Sequence, residues 1–565
     1  KDGYLVGSRG SVGSSFAATM AGITEVNPLE PHYICPKCHN LKFTDHLDKY
    51  DTGFDMPDRV CEKCGTNMNK NGLNIPFATF LGFNGDKEPD IDLNFAGEYQ
   101  PIAHKFVGEI FGEENIFKAG TVATIAEKTA FGYVKKYEEN TGKSFSNSEE
   151  LVLANGCTGT KRTTGQHPGG IIVVPADREI FEFCPVQKPA NNRDAEFITT
   201  HFDYHKIDKN LLKLDILGHD VPQMIRHLQD MTGVDPLGID IADKKTLSIF
   251  TSIDALNIVN PDDYEFKHGT YGIPEFGTNF TRGMLDAIKP KTISALIKIS
   301  GFSHGTDVWT NNAEDLIKNG VATIDELISC RDDIMNYLMI KGVDKSNAFK
   351  IMEAVRKNKE LKQEELDIMK EHGVPDWYVE SCRTLKYLFP RAHAAAYVMM
   401  ALRMAWFKVY YPSAFYCAWL STKIDNFDVN VARGGVEAAK AALSSLNSED
   451  DDTSAAKKKE LKVVYEVIYE LLSRGCEFSL PELGVSDPCM FNVVDDKIKI
   501  PFMAVSGVGR SAAISLAEAY KEGPFLSIDE VQRKTKLSST NIEDLKACGV
   551  FDELPDSAQV SIFDM

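Results

Sequence analysis

In this 565-residue chain, Glu88-Pro89-Asp90-Ile91-Asp92-Leu93-Asn94-Phe95 restricts the fold more than any other stretch. Pro89 disfavours helix at the residue before it and offers no backbone donor, so it punctuates a strand start. After it, Asp90, Asp92 and Asn94 alternate with Ile91, Leu93 and Phe95, the period of a half-buried strand. The apolar trio is expected to face a core while the two carboxylates share the other face, roughly 7 Å apart at ~3.3 Å rise per residue. Like charges so placed repel unless a cation neutralises them. Hard oxygen donors suit Mg²⁺, held jointly with substrate phosphates. A lone Asp-x-Asp reads more readily as a solvated acidic face; the features that follow tilt the balance.

The length calls for about three to five domains. No apolar run approaches the ~20 residues of a membrane span, and the residues show no signal peptide. Entry at Lys1, without an initiator Met, in a sequence already patterned reads as a piece of something longer. A net charge of −20 counts mildly against nucleic-acid binding, which normally recruits clustered Lys and Arg. Local basic surfaces are compatible with it. Four of the twelve Cys stand in paired spacing and the rest are scattered, the usage of a reducing cytoplasm with one metal site.

Tyr4-Leu5-Val6 leads into a Gly/Ser-rich loop containing Ser8, Arg9, Gly10 and Ser11, with Phe16 to Met20 continuing as helix. Glycine admits close backbone approach and helix-start amides favour anions, so Ser8, Gly10 and Ser11 are candidates for a phosphate cradle. Cys35-Pro36-Lys37-Cys38 and Cys61-Glu62-Lys63-Cys64 are two knuckles with twenty-two residues between them. Four thiolates complete a tetrahedral Zn²⁺ and leave no open position, so the site is expected to be structural. His39 is an available substitute ligand, though the set is complete without it. From Glu98 to about Asn140 the apolar spacing reads as helix. Lys161 and Arg162 lie in a Gly/Thr loop feeding the strand Ile171 to Val174, where they serve either as phosphate ligands or as an exposed basic turn. Leu211 to Gly218 is an apolar strand with Asp215 in its middle. Such a carboxylate is costly unless paired or metal-bound, and it is a candidate third ligand beside Asp90 and Asp92.

Beyond about Pro236, helices on short turns continue to about Lys423. They include a basic helix from Lys345 to Lys362 bearing Lys350, Arg356 and Lys357, the best candidate for a DNA-facing surface. In Pro390-Arg391-Ala392-His393, Pro390 suits a first helical turn. Arg391 and His393 stand where an anion would be welcome, although His393 reads equally as a core histidine. Ser448 to Ser454 is an acidic break before an amphipathic helix. Ser506-Gly507-Val508-Gly509-Arg510 looks like the turn of a helix-hairpin-helix, offering backbone N–H groups near Gly507 and Gly509 to a phosphate. The final Gln559-Val560-Ser561-Ile562-Phe563 ends a polar tail with apolar residues that call for a partner groove.

A Gly-Ser loop, an Asp-x-Asp strand and a third strand Asp follow the order of the polymerase-β-like nucleotidyltransferase palm. Gly10-Ser11, Pro89 to Phe95, Lys213 to Asp220, Ser303-His304-Gly305-Thr306 and Pro390 to Tyr397 together resemble the C-family bacterial replicative DNA polymerases. The four-Cys insertion narrows the resemblance to the PolC type of Gram-positive bacteria. It implies an α+β multidomain fold: palm at 1–33, 76–120 and 166–235, zinc module at 34–75, helical thumb at 121–165 and fingers at 236–425. A duplex-binding helix-hairpin-helix domain at 426–550 and a tail at 551–565 complete it. It also implies a polymerase portion without the PHP and proofreading exonuclease domains. Implied too are two Mg²⁺ (or Mn²⁺) ions on Asp90, Asp92 and Asp215, one structural Zn²⁺, primer-template DNA and dNTPs as substrates, and a replisome location at the nucleoid. Ser8, Gly10, Ser11, Lys161, Arg162, Arg391 and His393 are then expected to meet the nucleotide; Gln559, Ser561, Ile562 and Phe563 would bind the sliding clamp, alongside other replisome subunits and with no membrane. The competing reading is a catalytically inactive, zinc-containing DNA-binding scaffold that docks on the clamp.

Overall fold

Seven strands build one mixed sheet: β1 (Gly7–Arg9), β2 (Ile91–Ala96), β3 (Ile116–Thr124), β4 (Lys161–Val173), β5 (Val186–Gln187), β6 (Thr199–Asp203) and β7 (Leu212–His219), in the order β1-β2-β7-β4-β3-β6-β5. This computed structural model describes residues 3–47, 49–85, 89–188, 197–207, 211–446 and 454–557. The sheet belongs to one compact unit, Val6–Val12 with Glu88–His219, and the remaining chain forms a second. β2 runs antiparallel to β1 and parallel to β7. Ile91, Leu93 and Phe95 alternate with Asp92 and Asn94 along β2. Phe95 joins Leu214, Ile171 and Ile216 under the helix Gln100–Phe111, which contributes Ala103 and Val107.

Two local readings need correction here. The stretch from Glu98 to Asn140 is not one helix. Gly112, at φ +89°, ends the first helix, and β3 follows with the β-branched residues Ile116, Thr121, Val122 and Thr124 before helix resumes at Glu127–Thr141. Nor do Gly7 to Arg9 belong to a loop, because they pair as the edge strand of the sheet. β3 and β4 lead out to the helical pair Glu127–Thr141 and Asn147–Cys157, closed by a small core of Ala130, Val134 and Ala154. Ser146 and Glu149 cap the second of these helices reciprocally. Lys161 and Arg162, expected in a loop before Ile171, instead open β4, because the Thr-rich segment pairs with β3, and both are exposed.

In the second unit, Cys35 and Cys38 flank one tight turn and Cys61 and Cys64 another, beside a three-stranded antiparallel sheet centred on His32–Ile34. A contiguous apolar core then runs through the helical region as far as Ala504. At its centre the helix Arg391–Tyr410, with Pro390 as N-cap, is buried along almost its whole length. Its alanines 392 and 394–396 are buried, as is most of the helix Ile293–His304. The basic helix stops at Arg356 (Lys345–Arg356), because Asn358 turns left-handed at φ +51°, and a new helix starts at Gln363. A separate C-terminal core of Val505, Val508, Leu516, Val531 and Leu545 supports the helix Arg510–Lys521, whose N-cap is Gly509. Among the described residues no helix is long and apolar enough to cross a membrane.

Candidate active site and metal centre

Pairing across the sheet brings together residues far apart in sequence. Arg9 of β1 lies opposite Asp92 of β2, Asp92 opposite Asp215 of β7, and Asp215 opposite Gly170 of β4. Residues in register on adjacent strands project to the same face. Asp92 and Asp215 are therefore neighbours on one side of the sheet, and Asp90, exposed, leads into the same row two residues earlier. The Oδ1 atoms of Asp92 and Asp215 are buried and accept no hydrogen bond. Burial, followed by the charges of Asp90 and Asp215, pushes the Asp92 carboxyl up to about 7. Buried carboxylate oxygens without a partner are the kind of donor that a hard divalent cation suits, although among the described residues only the four cysteines bring three or more ligand atoms within 4.8 Å of one another.

Gly10 closes in on this row. At φ +62° it occupies the left-handed region, and a Cβ there would lie 2.7 Å from Asp92 Oδ2. Only glycine allows the loop to turn this tightly over the carboxylate. Ser8 and Ser11 on either side are buried.

Sequence reasoning missed the residues that hold Asp215. Lys213 Nζ lies 2.8 Å from Asp215 Oδ2 and 4.0 Å from the centre of the Tyr204 ring, which backs the ammonium. His167 accepts hydrogen bonds at Nδ1 from the amides of Gly170 (2.7 Å) and Gly169 (3.3 Å). That nitrogen consequently carries no proton, and its 3.6 Å approach to Asp215 Oδ1 is a contact between two acceptors. Burial lowers the His167 pKa further. On the opposite face, Gln100 and His104 donate to the Ile216 carbonyl at 2.7 and 3.1 Å and fix the backbone next to Asp215. The signal for Lys213 was available: it stands two residues from Asp215 in a strand, on the same face and with opposite charge.

Cys35, Cys38, Cys61 and Cys64 form a compact tetrad, all four sulfurs lying within 4.8 Å of one another. The closest Sγ–Sγ distances are 3.4 Å (Cys35–Cys64) and 3.5 Å (Cys38–Cys61). A tetrahedron with Zn–S of about 2.3 Å has sulfurs about 3.8 Å apart, so the geometry suits a structural Zn²⁺. His39 is not part of the tetrad.

The remaining candidates sit elsewhere. Arg391 is fully buried, and its guanidinium is spent on Asp51 (2.6 Å), Asp333 (3.2 Å) and the Leu73 carbonyl (3.1 Å). The expectation that it meets a phosphate is corrected: it is an internal counter-ion. His393 is also buried, its ring packed against His304, Phe389 and Tyr397. Lys350 is exposed, whereas Arg356 and Lys357 both pair with Glu353, at 2.7 and 2.9 Å. Gly507, at φ +77°, accepts from Asn541 Nδ2 through its carbonyl, and the Val508 amide in the same turn donates to the Val505 carbonyl at 3.1 Å. Gln559, Ser561, Ile562 and Phe563 lie outside the described residues, as does most of the acidic break at 448–454.

Comparison with known proteins places this geometry in a family. The bacterial DNA polymerase III alpha NTPase domain matches residues 1–148 and 133–218, the alpha subunit finger domain 221–374, and a helix-hairpin-helix motif 475–560. DNA polymerase III PolC-type of Caldanaerobacter subterraneus is 52% identical over all of this chain and 40% of its own length. The proteins of the same name from Oceanobacillus iheyensis and Clostridium perfringens are each 51% identical, over all of this chain and 39% of theirs. The chain thus spans about two-fifths of the length of these relatives. With the palm row, the finger helices, the hairpin motif and full-length similarity in agreement, this chain belongs to the PolC-type DNA polymerase III family.

Proposed function

We propose that this chain carries the template-directed polymerising activity of a replicative DNA polymerase, adding dNMP to a primer 3′-hydroxyl with release of pyrophosphate. The observation that carries this reading is the in-register pair Asp92–Asp215 beneath the Gly10 turn. Asp90, Asp92 and Asp215 are the residues that would hold divalent ions. Bound there, such ions supply positive charge to the attacking and departing oxygens of phosphoryl transfer. The chain's own part is placement. The turn at Gly10 and Ser11 offers main-chain and hydroxyl donors to a triphosphate, and Lys213 and Tyr204 keep Asp215 oriented. Lys161 and Arg162 supply exposed positive charge for backbone or nucleotide phosphates. His393, packed among His304 and Tyr397, is assigned to the nucleotide as a supporting ring. Lys350 and the Gly507–Gly509 turn are assigned to the duplex, with primer-template DNA and dNTPs as substrates.

Primer extension with and without a template strand tests the reading. Template-dependent synthesis supports it; template-independent addition points to a simple nucleotidyltransferase, and DNA binding without synthesis to the scaffold alternative. A sharper check is Gly10→Ala. The added methyl must displace Asp92 and the residue must hold a left-handed φ, a strain of about 1–3 kcal/mol. Extension is expected to fall roughly tenfold to a hundredfold with an unchanged circular-dichroism spectrum, and wild-type kinetics would remove the turn from the site.

The clamp contact rests on Gln559 to Phe563. Deleting these five residues should leave distributive synthesis intact and abolish its stimulation by a sliding clamp. Equal stimulation of the truncated chain would refute that assignment.

A further inference from the structure

The spacer between the two cysteine pairs reaches well beyond the metal module. The module's own core is slight: Tyr33, Met56 and Met68 with Cys35 and Cys61. So little buried apolar surface needs a metal to hold it. The spacer is pressed against the module's sheet at Gly53, where a Cβ would stand 1.8 Å from the Asn71 carbonyl oxygen, and Gly53 N donates to Gly72 O at 2.8 Å. On either side of this pin are Asp51 and Asp55.

Asp55 accepts from the amides of Ile293 and Ser294 at 2.8 and 2.9 Å. These are the first two amides of the helix Ile293–His304, whose own cap residue, Thr292, serves Ala295 at 3.1 Å. Two of the orphan donors at this helix start are therefore satisfied by a carboxylate 238 residues away in sequence. Asp51 Oδ2 accepts from Ser294 Oγ at 3.0 Å and lies 2.6 Å from Arg391 Nη2. Arg391 opens the helix Arg391–Tyr410, and its backbone amide is held by Asp332 at 2.7 Å. One short spacer thus ties down the starts of two long helices. His304 on the first and His393 on the second meet with ring centroids 5.2 Å apart, and Tyr397 lies 4.6 Å beyond His393.

We infer that Asp51 and Asp55 are positioning residues through which the thiolate-held spacer sets the two finger helices, and with them the His304–His393–Tyr397 cluster. The consequence for nucleotide binding rests on the polymerase reading above; the mechanical coupling does not. Loss of the metal, or oxidation of the thiols that hold it, would then be felt first at Ile293 and Ser294.

The test uses the full chain with Asp55→Ala, Asp55→Asn and a zinc-chelated wild type. Hydrogen exchange at Ile293 and Ser294 is the readout independent of activity. Asp55→Ala should retain one zinc per chain and wild-type affinity for primer-template, exchange these amides about tenfold faster, and raise the KM for dNTP more than it lowers kcat. Asp55→Asn keeps only one of the two acceptor oxygens and turns an NH2 group toward the other amide, so it should recover protection at one of Ile293 and Ser294 and only part of the KM effect, while chelation should reproduce the exchange signature without any substitution. Unchanged exchange at Ile293 and Ser294 in both Asp55→Ala and the chelated chain would overturn the coupling. Faster exchange with an unchanged KM would overturn its role in nucleotide binding. A wild-type chain that synthesises nothing would sink the polymerase reading alone, because the exchange experiment still decides the coupling.

Discussion

Asp92→Asn should abolish primer extension, by roughly a thousandfold or more, while leaving the fold and the affinity for primer-template unchanged. The side chain keeps its shape and loses only its charge. In the metal-free chain that charge is a burden. Burial and then the neighbouring carboxylates Asp90 and Asp215 raise the Asp92 pKa to about 7, against an ordinary value of 3.8. Between those two values the folded state holds more proton than the unfolded one, so this group makes the fold less stable as pH rises through the window. A neutral amide at this position removes that penalty. Measured in chelator by thermal unfolding, the variant should be at least as stable as wild type above pH 7. The combination of undiminished stability and lost synthesis is what separates a residue that works on the reaction from one that supports the fold. Normal turnover in the variant would show that the carboxylate row is not the reaction centre.

The parts legible in the sequence were those whose signal is local. Period-two alternation placed Asp92 and Asn94 on one side of a strand and Phe95 on the other, and paired cysteines marked a metal site through a spacing that needs no knowledge of the fold. The middle position of Asp215 in an apolar run marked a charge in need of a partner, but not which partner. That answer depends on sheet order: β7 inserts between β2 and β4, putting Asp92 and Asp215 side by side across more than a hundred residues. Helix periodicity failed between Gly112 and Thr124, where a few apolar residues fit both periods and the β-branched run should have prevailed. Arg391 failed for a different reason. A guanidinium at a helix start attracts an anion whether that anion is a phosphate or an internal carboxylate, and the sequence carries no record that Asp51 and Asp333 arrive from elsewhere. Asp51 and Asp55 were similarly invisible, because a cap supplied from another segment leaves no S-x-x-E pattern to read.

The largest stability loss is expected from Glu470→Ala. Glu470 and Lys408 are both fully buried, with Oε1 and Nζ 2.5 Å apart. Each has further neutral partners: Tyr416 Oη donates to Glu470 at 2.7 Å, and Lys408 donates to the carbonyls of Gly269 and Tyr271 at 2.8 and 2.5 Å. Burial still holds the Lys408 ammonium below its ordinary range, at about 8, with Glu470 as the main opposing influence. Removing Glu470 strands that ammonium in the apolar core between the helices Arg391–Tyr410 and Ala455–Ser473, at a cost of about 3–5 kcal/mol. Chemical denaturation should show a lower midpoint at an unchanged slope. Glu470→Gln, which keeps an acceptor for Lys408 and Tyr416, should lose clearly less. In the double variant Lys408→Met/Glu470→Leu neither charge of this pair remains, so it should be more stable than Glu470→Ala despite lacking both partners. A double variant no more stable than Glu470→Ala would mean that the neutral hydrogen bonds, and not the ion pair, carry the stability of this core.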